Sequence, residues 1–244
     1  MILVAMTYAN NILGMKVAEN EFRTNQQFMR TTGQQIDDIA WTIGRTQTVS
    51  YSSRYGQVSF QPQVLTYTFE VHTSSGWQPP VSYTTGIILF NMPVSSYSMG
   101  NDYFTRVPNY ASSSFVQSGS SAPIAQVFSI EKIPMSDGSY VRTVVVPTVR
   151  VIGSNGFFKF YLPTLESGTH LYRSQSITMC GNGISKVPET SVDQVRITAS
   201  FTKTDQGFDS SFFNFNEITE TISLPSVSNV QFYFGNVVVT LGQV

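Results

Sequence analysis

The sequence predicts a mainly β protein with one long N-terminal α-helix. Apolar residues recur at helical spacing as far as about Arg45, and after Thr46 short alternating runs are separated by turn residues. The change falls inside the stretch QIDDIAWTIGRTQTVSYSSRYGQVSF, residues 35–60. We therefore predict a helical segment over residues 1–47 and a β domain over residues 48–244.

The predicted helix carries a narrow apolar stripe along its length. Every seventh residue is large and apolar, and such a row drifts by only about 20° per heptad around a straight helix. The stripe consists of Met1, Tyr8, Met15, Phe22, Met29, Ile36 and Ile43. The second row that a coiled coil needs is mixed in character. The pattern therefore fits both an ordinary core-facing helix and a self-associating one.

The end of the helix is predicted to pack on the β domain. Its apolar residues have the i, i+3, i+4, i+7 spacing of a buried face: Ile36, Ile39, Ala40 and Ile43. The stretch Thr31-Thr32-Gly33 indicates a kink or a break. If continuous, the helix would reach about 68 Å at ~1.5 Å per residue, which is more than one β domain covers. Residues 1–22 are therefore expected to contact either lipid or further copies of the chain.

The first residues leave three interpretations open. Residues 1–18 are mostly apolar, but this run is shorter than the ~20 residues that a bilayer-spanning helix needs. It also lacks the basic region and the small-residue cleavage site of a secretory signal. A core helix, part of a membrane helix, and a helix that packs against copies of itself all remain possible.

Runs of β-branched and aromatic residues after Val49 predict an antiparallel β-sandwich of about ten strands. Two hairpin turns are well marked, at Asp137-Gly138 and at the GSNG sequence of residues 153–156. Pro147 interrupts one long run and indicates an edge position or a bulge. Residues 95–123 form the longest stretch without a pattern, and we expect them to make a surface connection.

Composition narrows the possible partners and location. Charged residues make up 12% of the chain, about half of the ~25% that is usual for soluble domains. The net charge is −1 and no basic stripe is present, so nucleic acid is excluded as a partner. A nearly neutral surface rich in hydroxyl and amide groups favours a cell-surface or extracellular protein.

The candidate catalytic residues are few. His72 and His170 are the only histidines, and no zinc or phosphate-binding motif occurs, so we expect no cofactor, no metal and no enzymatic activity. One arrangement is similar to the sortase layout: Cys180 in SITMCGNG, with Arg196 expected on the next strand. A histidine would have to activate that thiol. A sortase-like thiol enzyme is one alternative, and a small core cysteine near a turn is the simpler interpretation.

Aromatic residues in predicted loops favour a second alternative, which is glycan binding. Trp77 lies in the loop SSGWQPPVSY, where an exposed indole can stack on a sugar ring. Tyr97, Tyr103 and Tyr110 in the long loop would add stacking surface. Such aromatics more often serve as packing anchors.

The order of these segments resembles a known class of surface protein. The likeness is carried by MILVAMTYANNILGMKVAENEF and by QQIDDIAWTIGRTQTVSYSSRYGQVSF, where an amphipathic helix runs directly into the first strand. The chain resembles archaeal type IV pilin-like proteins, including the archaellin branch, although Asn10 and Asn11 interrupt the apolar run. The resemblance implies a non-enzymatic surface protein whose helix anchors it in the membrane or assembles a filament, with the β-sandwich displayed outward.

Overall fold

The molecule consists of one long helix followed by a large β-sheet. The computed structural model describes residues 2–93, 104–106, 114–130, 134–135, 138–170 and 175–242. In chain order the elements are α1 (Ile2–Ala40), β1 (Thr46–Ser50), β2 (Gln57–Thr73), β3 (Gly76–Trp77), β4 (Val81–Pro93), β5 (Phe104–Arg106), β6 (Val116–Ser118), β7 (Ala125–Ile130), β8 (Pro134–Met135), β9 (Gly138–Pro147), β10 (Val149–Ser154), β11 (Phe157–His170), β12 (Ser176–Phe201), α2 (Ser210–Phe213) and β13 (Thr219–Leu241). The predicted mainly β class with a long N-terminal helix is confirmed.

Helix α1 is uninterrupted from Ile2 to Ala40, so the break suggested at Thr31-Thr32-Gly33 does not occur. Both threonine hydroxyls donate to the backbone carbonyl four residues earlier, which satisfies them within the helix. The glycine lies against valine side chains of β7 and β9, so the sheet supports the helix at this weak point.

The helix ends at Ala40, earlier than the boundary at residue 47 expected from the sequence. Gly44 adopts a left-handed conformation with φ of 79°, which turns the chain away from the helix. Its N–H donates to the Gly181 carbonyl at 2.7 Å, and the Gly181 N–H donates to the Arg45 carbonyl at 2.9 Å. The turn is therefore tied to β12 before β1 begins at Thr46.

The described strands form one mixed sheet that curls on itself, so the predicted antiparallel sandwich of about ten strands is wrong. The strand order is β5-β7-β9-β4-β2-β12-β13-β11-β10-β6, and β1 and β3 pair with β12 and β2 at the side of this path. β11 pairs parallel with β13, and β10 pairs parallel with β6. The alternation of apolar and polar residues along a strand predicts which side chains are buried, but not which strand lies beside it. The insertion of β13 between β12 and β11 could therefore not be predicted from this pattern.

The curl brings together strands that are far apart in the sheet order. Only Thr148 separates β9 from β10 along the chain, although six strand pairings lie between them in the sheet. The backbone N–H of Leu165 in β11 donates to Thr85 Oγ1 in β4 at 2.9 Å, across the curl. Pro147, expected at an edge or a bulge, instead ends β9 where the chain crosses to β10.

Both faces of the central strands are buried. On β4, Ile87 and Leu89 belong to an inner cluster of aromatic and aliphatic side chains, whereas Ile88 and Phe90 belong to a second cluster under helix α1. Burial on both faces explains why this strand is a continuous apolar run. The inner cluster is rich in phenylalanine from the later strands and α2, for example Phe160, Phe212, Phe213, Phe232 and Phe234.

The GSNG hairpin is confirmed. β10 and β11 pair antiparallel with Ser154 opposite Phe157, and the two turn residues have φ of 51° at Asn155 and 77° at Gly156. Positive φ at both positions is the requirement of a type I′ turn. Asp137 itself lies outside the described residues, but β8 and β9 on either side of it pair antiparallel, with Met135 opposite Gly138.

Candidate functional site: a protruding helix and a cleft beside it

The first part of helix α1 extends beyond the β domain. Every residue from 6 to 13 is exposed, so no side of the helix is covered there by the described part of the chain. The exposed apolar side chains are Met6, Tyr8, Ile12, Leu13, Met15 and Val17. Grouped exposed apolar side chains of this kind are a common feature of protein contact surfaces. We call residues 6–17 the protruding segment.

Polar groups border and interrupt the protruding segment. Asn10 and Asn11 lie within it. Beyond it, the carboxylate of Glu19 accepts from Lys16 Nζ and from an Arg23 guanidinium nitrogen, each at 2.8 Å. The Lys16 hydrogen bond is the main cause of a lowered Glu19 pKa. No helix among the described residues is both long enough and apolar enough to cross a membrane.

The predicted apolar stripe divides into an exposed part and a buried part. Tyr8, which is 68% exposed, and Met15 lie in the protruding segment. Phe22, Met29 and Ile36 are buried between the helix and the sheet. Met1 lies outside the described residues. The stripe is therefore core-facing from Phe22 to Ile36 and exposed at Tyr8 and Met15.

The four residues predicted to pack on the β domain do not behave alike. Ile36, Ile39 and Ala40 are buried in the cluster under α1. Ile43 is 67% exposed, so its predicted packing role is wrong. The helix has already ended at Ala40, and the i+7 spacing that placed Ile43 on the buried face no longer applies after that residue.

Two glycines allow the end of the helix to approach the sheet closely. A Cβ atom on Gly181 of β12 would lie 2.5 Å from the carbonyl oxygen of Thr42. A Cβ atom on Gly235 of β13 would lie 2.4 Å from the carbonyl oxygen of Ala40. Any side chain at either position would push the end of the helix away from the strands.

Glu21 fastens the middle of the helix to the loop between β1 and β2. Its carboxylate accepts from the backbone N–H groups of Arg54, Tyr55 and Gly56 at 2.9 to 3.2 Å, and from the Ser53 hydroxyl at 2.5 Å. Partial burial raises the pKa of Glu21, but the hydrogen bonds from Ser53 and the three backbone amides outweigh it, and the net pKa is lowered. The ionised carboxylate is therefore the form that the fold favours.

Arg150 fastens the helix on its other side. This side chain is buried, and its two terminal nitrogens donate to the two carboxylate oxygens of Asp37 at 2.7 and 2.9 Å. Asp37 also accepts from the Trp41 indole N–H at 3.0 Å. The Arg150 guanidinium donates further to the Ala122 carbonyl at 3.4 Å. One arginine thus ties the helix to the loop that follows β6.

A cleft of about 280 Å³ lies between helix α1 and the loop of residues 119–124. The helix wall carries Arg30, Gln34 and Asp38, and the loop wall carries Ser120 and Ser121. The floor is mainly apolar and includes Ile124, Ala125 and Val127. Arg150 and Asp37 also line the cleft, already joined to each other.

The structure places Trp77 next to charged groups. Its ring is covered by the Arg196 guanidinium, which lies 4.0 Å from the ring centroid, and the His72 ring contacts it at 5.2 Å. Arg196 is also paired with Glu70 at 2.7 Å. The indole remains 39% exposed. The other predicted glycan contacts, Tyr97, Tyr103 and Tyr110, lie outside the described residues.

Cys180 and Arg196 are not on neighbouring strands, contrary to the sortase-like expectation. Both belong to β12, which runs unbroken from Ser176 to Phe201. At about 3.3 Å per residue they are roughly 50 Å apart along that strand. His72 lies beside Gln194, at the Arg196 end of β12, and its Nδ1 is 2.7 Å from an Asp193 carboxylate oxygen. His170 belongs to β11 rather than to the strand of Cys180.

Comparison with known proteins does not assign these features. No family model matches the chain, and neither the curated proteins nor the solved structures yield a match. Sequence reasoning missed Glu21, Arg30 and Arg150, because their roles depend on segments distant along the chain. Charged residues make up only 12% of the chain. The presence of Glu21 and Arg30 on a helix that also carries an apolar stripe was therefore the signal that could have pointed to these roles.

Proposed function

We propose that this protein is a non-enzymatic structural protein of the cell surface, in which the protruding segment anchors or assembles the molecule and the β domain is displayed outward. The observation that carries the proposal is the exposure of residues 6–13 on every side of the helix. Leaving apolar surface in water costs about 25 cal/mol per Å² relative to burying it. The segment therefore gains from a partner outside this chain.

The firm attachment of the helix to the β domain supports a structural role. The buried half of α1 is fixed by Glu21, by the Asp37–Arg150 pair and by close backbone contact at Gly181. Because no flexible linker separates the protruding segment from the β domain, a partner bound to the segment would hold the β domain in place. This arrangement agrees with the pilin-like plan that the sequence resembles.

The two modes of attachment differ in the partner that they require. Lipid would cover the apolar residues but would leave the amides of Asn10 and Asn11 without hydrogen-bond partners in the hydrocarbon region. Neighbouring helices would satisfy those amides by hydrogen bonds between helices. The protruding segment is thus better suited to a bundle of helices from several copies than to isolated immersion in lipid.

Electron microscopy tests the proposal. Surface material from the source cells would be examined by negative stain, with antibodies raised against residues 48–244. Labelled filaments would support assembly through the helix, and label confined to membrane patches would support anchoring. Recovery of the native protein only as a soluble cytosolic monomer would contradict both modes.

A pair of substitutions tests the role of the helix itself. Leu13→Glu places a charge in the protruding segment, and Ile184→Glu places one at an exposed apolar residue of β12. We expect the first to abolish filament or membrane association and the second to leave it intact. Equal behaviour of the two variants, with equal thermal stability, would remove the protruding segment from the proposal.

We propose glycan binding as a second function, motivated by the outer face of β4, β2, β12 and β13. Hydroxyl groups pair across this face at 2.8 to 3.2 Å, in the pairs Thr66–Thr84, Thr68–Ser82 and Thr198–Thr219. Trp77 lies opposite His72 at one end of the same face. Hydroxyl groups and an aromatic ring are suited to an uncharged sugar chain. Trp77→Ala should abolish retention on neutral polysaccharide without lowering Tm, and unchanged retention would exclude this site.

A further inference from the structure

We propose that the cleft between helix α1 and the 119–124 loop binds a small organic carboxylate, with its anionic group on Arg30 and its apolar body on the floor of the cleft. This site is independent of the surface role proposed above. Either can fail without affecting the other, because the protruding segment contributes no residue to the cleft.

The cleft is held open by groups that are already engaged with each other. Arg150 donates to Asp37 on the helix wall and to the Ala122 carbonyl on the loop wall, and it therefore fixes the distance between the two walls. The loop is closed by a hydrogen bond from the Ala122 N–H to the Gly119 carbonyl at 3.2 Å. The Gly119 N–H donates in turn to the Val151 carbonyl at 2.9 Å. A cavity whose walls are tied in this way is formed before a ligand arrives.

One positive charge in the cleft, that of Arg30, has no ion-pair partner in the part of the chain that the structure describes. The charges of Arg150 and Asp37 cancel in their ion pair. Asp38 lies 3.7 Å from the Arg45 guanidinium. Arg30 is half-buried and has no ion pair or hydrogen bond among the residues that the structure describes. A partly desolvated guanidinium without a partner favours the entry of an anion.

The surroundings of Arg30 select the kind of anion. A planar carboxylate matches the fork of a guanidinium and can accept two parallel hydrogen bonds from it. A phosphate dianion would bring a second negative charge towards the carboxylates of Asp37 and Asp38, which line the same cleft. The apolar floor formed by Ile124, Ala125 and Val127 favours a ligand with an apolar body. The volume of about 280 Å³ restricts that body to a small one.

Phenylacetate is a suitable probe, and phenylacetamide is its uncharged counterpart of the same shape. Binding to the full chain would be measured by isothermal titration calorimetry and by amide chemical-shift changes. We expect phenylacetate to bind with a Kd of about 1 mM or tighter. The shift changes should be centred on residues 119–124 and on the helix near Arg30. We expect phenylacetamide to bind at least about tenfold more weakly.

Three variants locate the charge and the cavity. Arg30→Gln should weaken phenylacetate binding about tenfold or more, and Arg30→Lys should retain part of the affinity because it keeps the charge but not the fork. Arg23→Gln is the matched control, because Arg23 lies on the same helix outside the cleft. Ser121→Trp should block binding by filling the cleft while leaving Arg30 in place.

Several outcomes would overturn the proposal. Equal affinity for the carboxylate and the amide would remove the role of charge, and unchanged binding by Arg30→Gln would remove the role of Arg30. The absence of shift changes in the cleft at about 20 mM phenylacetate, well above the expected Kd, would remove the site itself. If Arg30→Gln does not fold, Ser121→Trp still decides the matter, since retained binding by that variant places the ligand elsewhere.

Discussion

Glu21 illustrates, at the scale of single residues, how a chain with few charges uses them. Its carboxylate receives three consecutive backbone amides and one hydroxyl from the loop before β2. A loop whose N–H groups converge in this way is a site for an anion. The helix supplies that anion as a side chain, and the ring contact of Phe28 with Tyr51 adds an apolar contact between the helix and the loop.

Glu21→Gln should destabilise the fold by about 1 to 3 kcal/mol, because an amide cannot accept as many hydrogen bonds as the carboxylate and leaves amides of the loop unsatisfied. The free energy of unfolding in urea measures the effect. Glu19→Gln is the control, because its partners Lys16 and Arg23 are exposed, and it should change stability little. Comparable losses in the two variants would mean that the loop does not depend on the carboxylate.

The contribution of Glu21 should depend on pH. Its pKa in the folded state is below the unfolded value of 4.5. The carboxylate therefore stabilises the fold above about pH 4.5, and this contribution is lost as the pH falls through the folded-state pKa. The difference in unfolding free energy between the native chain and Glu21→Gln should be constant from pH 6 to about 8 and shrink below about 4.5. Because the group is half-exposed, solvent screening keeps this difference modest. A difference that persists at pH 3 would contradict the assignment.

Helix α1 combines two environments at the scale of the element. From Ala18 onward its inner face is buried against the sheet, whereas residues 6–13 are exposed on every side of the helix. One helix therefore combines a core segment with an exposed one. The junction with the strands depends on close backbone approach at its C-terminal end.

Gly181→Ala should destabilise the protein by about 1 to 3 kcal/mol, because the added Cβ atom would overlap the carbonyl of Thr42 and displace the end of the helix. Gly183→Ala is the matched control on the same strand, since a Cβ atom there has no neighbour within 4 Å. Thermal unfolding of the two variants measures the difference. Equal Tm values would mean that the helix end tolerates displacement from β12.

The helix and the sheet share one core at the scale of the whole molecule. The cluster under α1 combines Phe22, Met29, Ile36 and Ile39 with residues of β4, β9, β12 and β13. Exposing a single side chain of this size costs about 1.5 to 3 kcal/mol, and a folded domain is stable by only about 5 to 15 kcal/mol. We therefore expect residues 48–244 to depend on the helix for folding, even though sequence patterns separate the two.

Truncation tests this dependence. A chain beginning at residue 17 should unfold at nearly the same temperature as the full chain, because residues 6–13, which make up half of the removed segment, are exposed on every side of the helix. A chain beginning at residue 41 should fail to fold, because it lacks one side of the second cluster. Circular dichroism and amide spectra of both chains give the answer. A well-folded product from residue 41 onward would make the β domain independent of the helix.

The candidate sites were predictable to different degrees. Helical spacing placed Ile36, Ile39 and Ala40 on one face. It did not predict the exposure of Ile43, because the end of the helix depends on Gly44 and on backbone hydrogen bonds to Gly181. Trp77 was predicted to lie in a loop, but it belongs to the short strand β3. Its contact with Arg196 could not be foreseen, because Arg196 is far along the chain. The cleft could not be foreseen, since its walls belong to α1 and to a loop about ninety residues later.

The sequence by itself determined the class of the molecule, the position of the long helix and the GSNG turn, because helical periodicity and turn chemistry are local and act within a few residues. Tertiary structure alone decided the curled mixed sheet, the insertion of β13 between β12 and β11, and the point at which the helix leaves the core. These features depend on which distant segments meet. In this chain the central strands are buried on both faces, and a local pattern of apolar and polar residues does not predict which segments cover those faces.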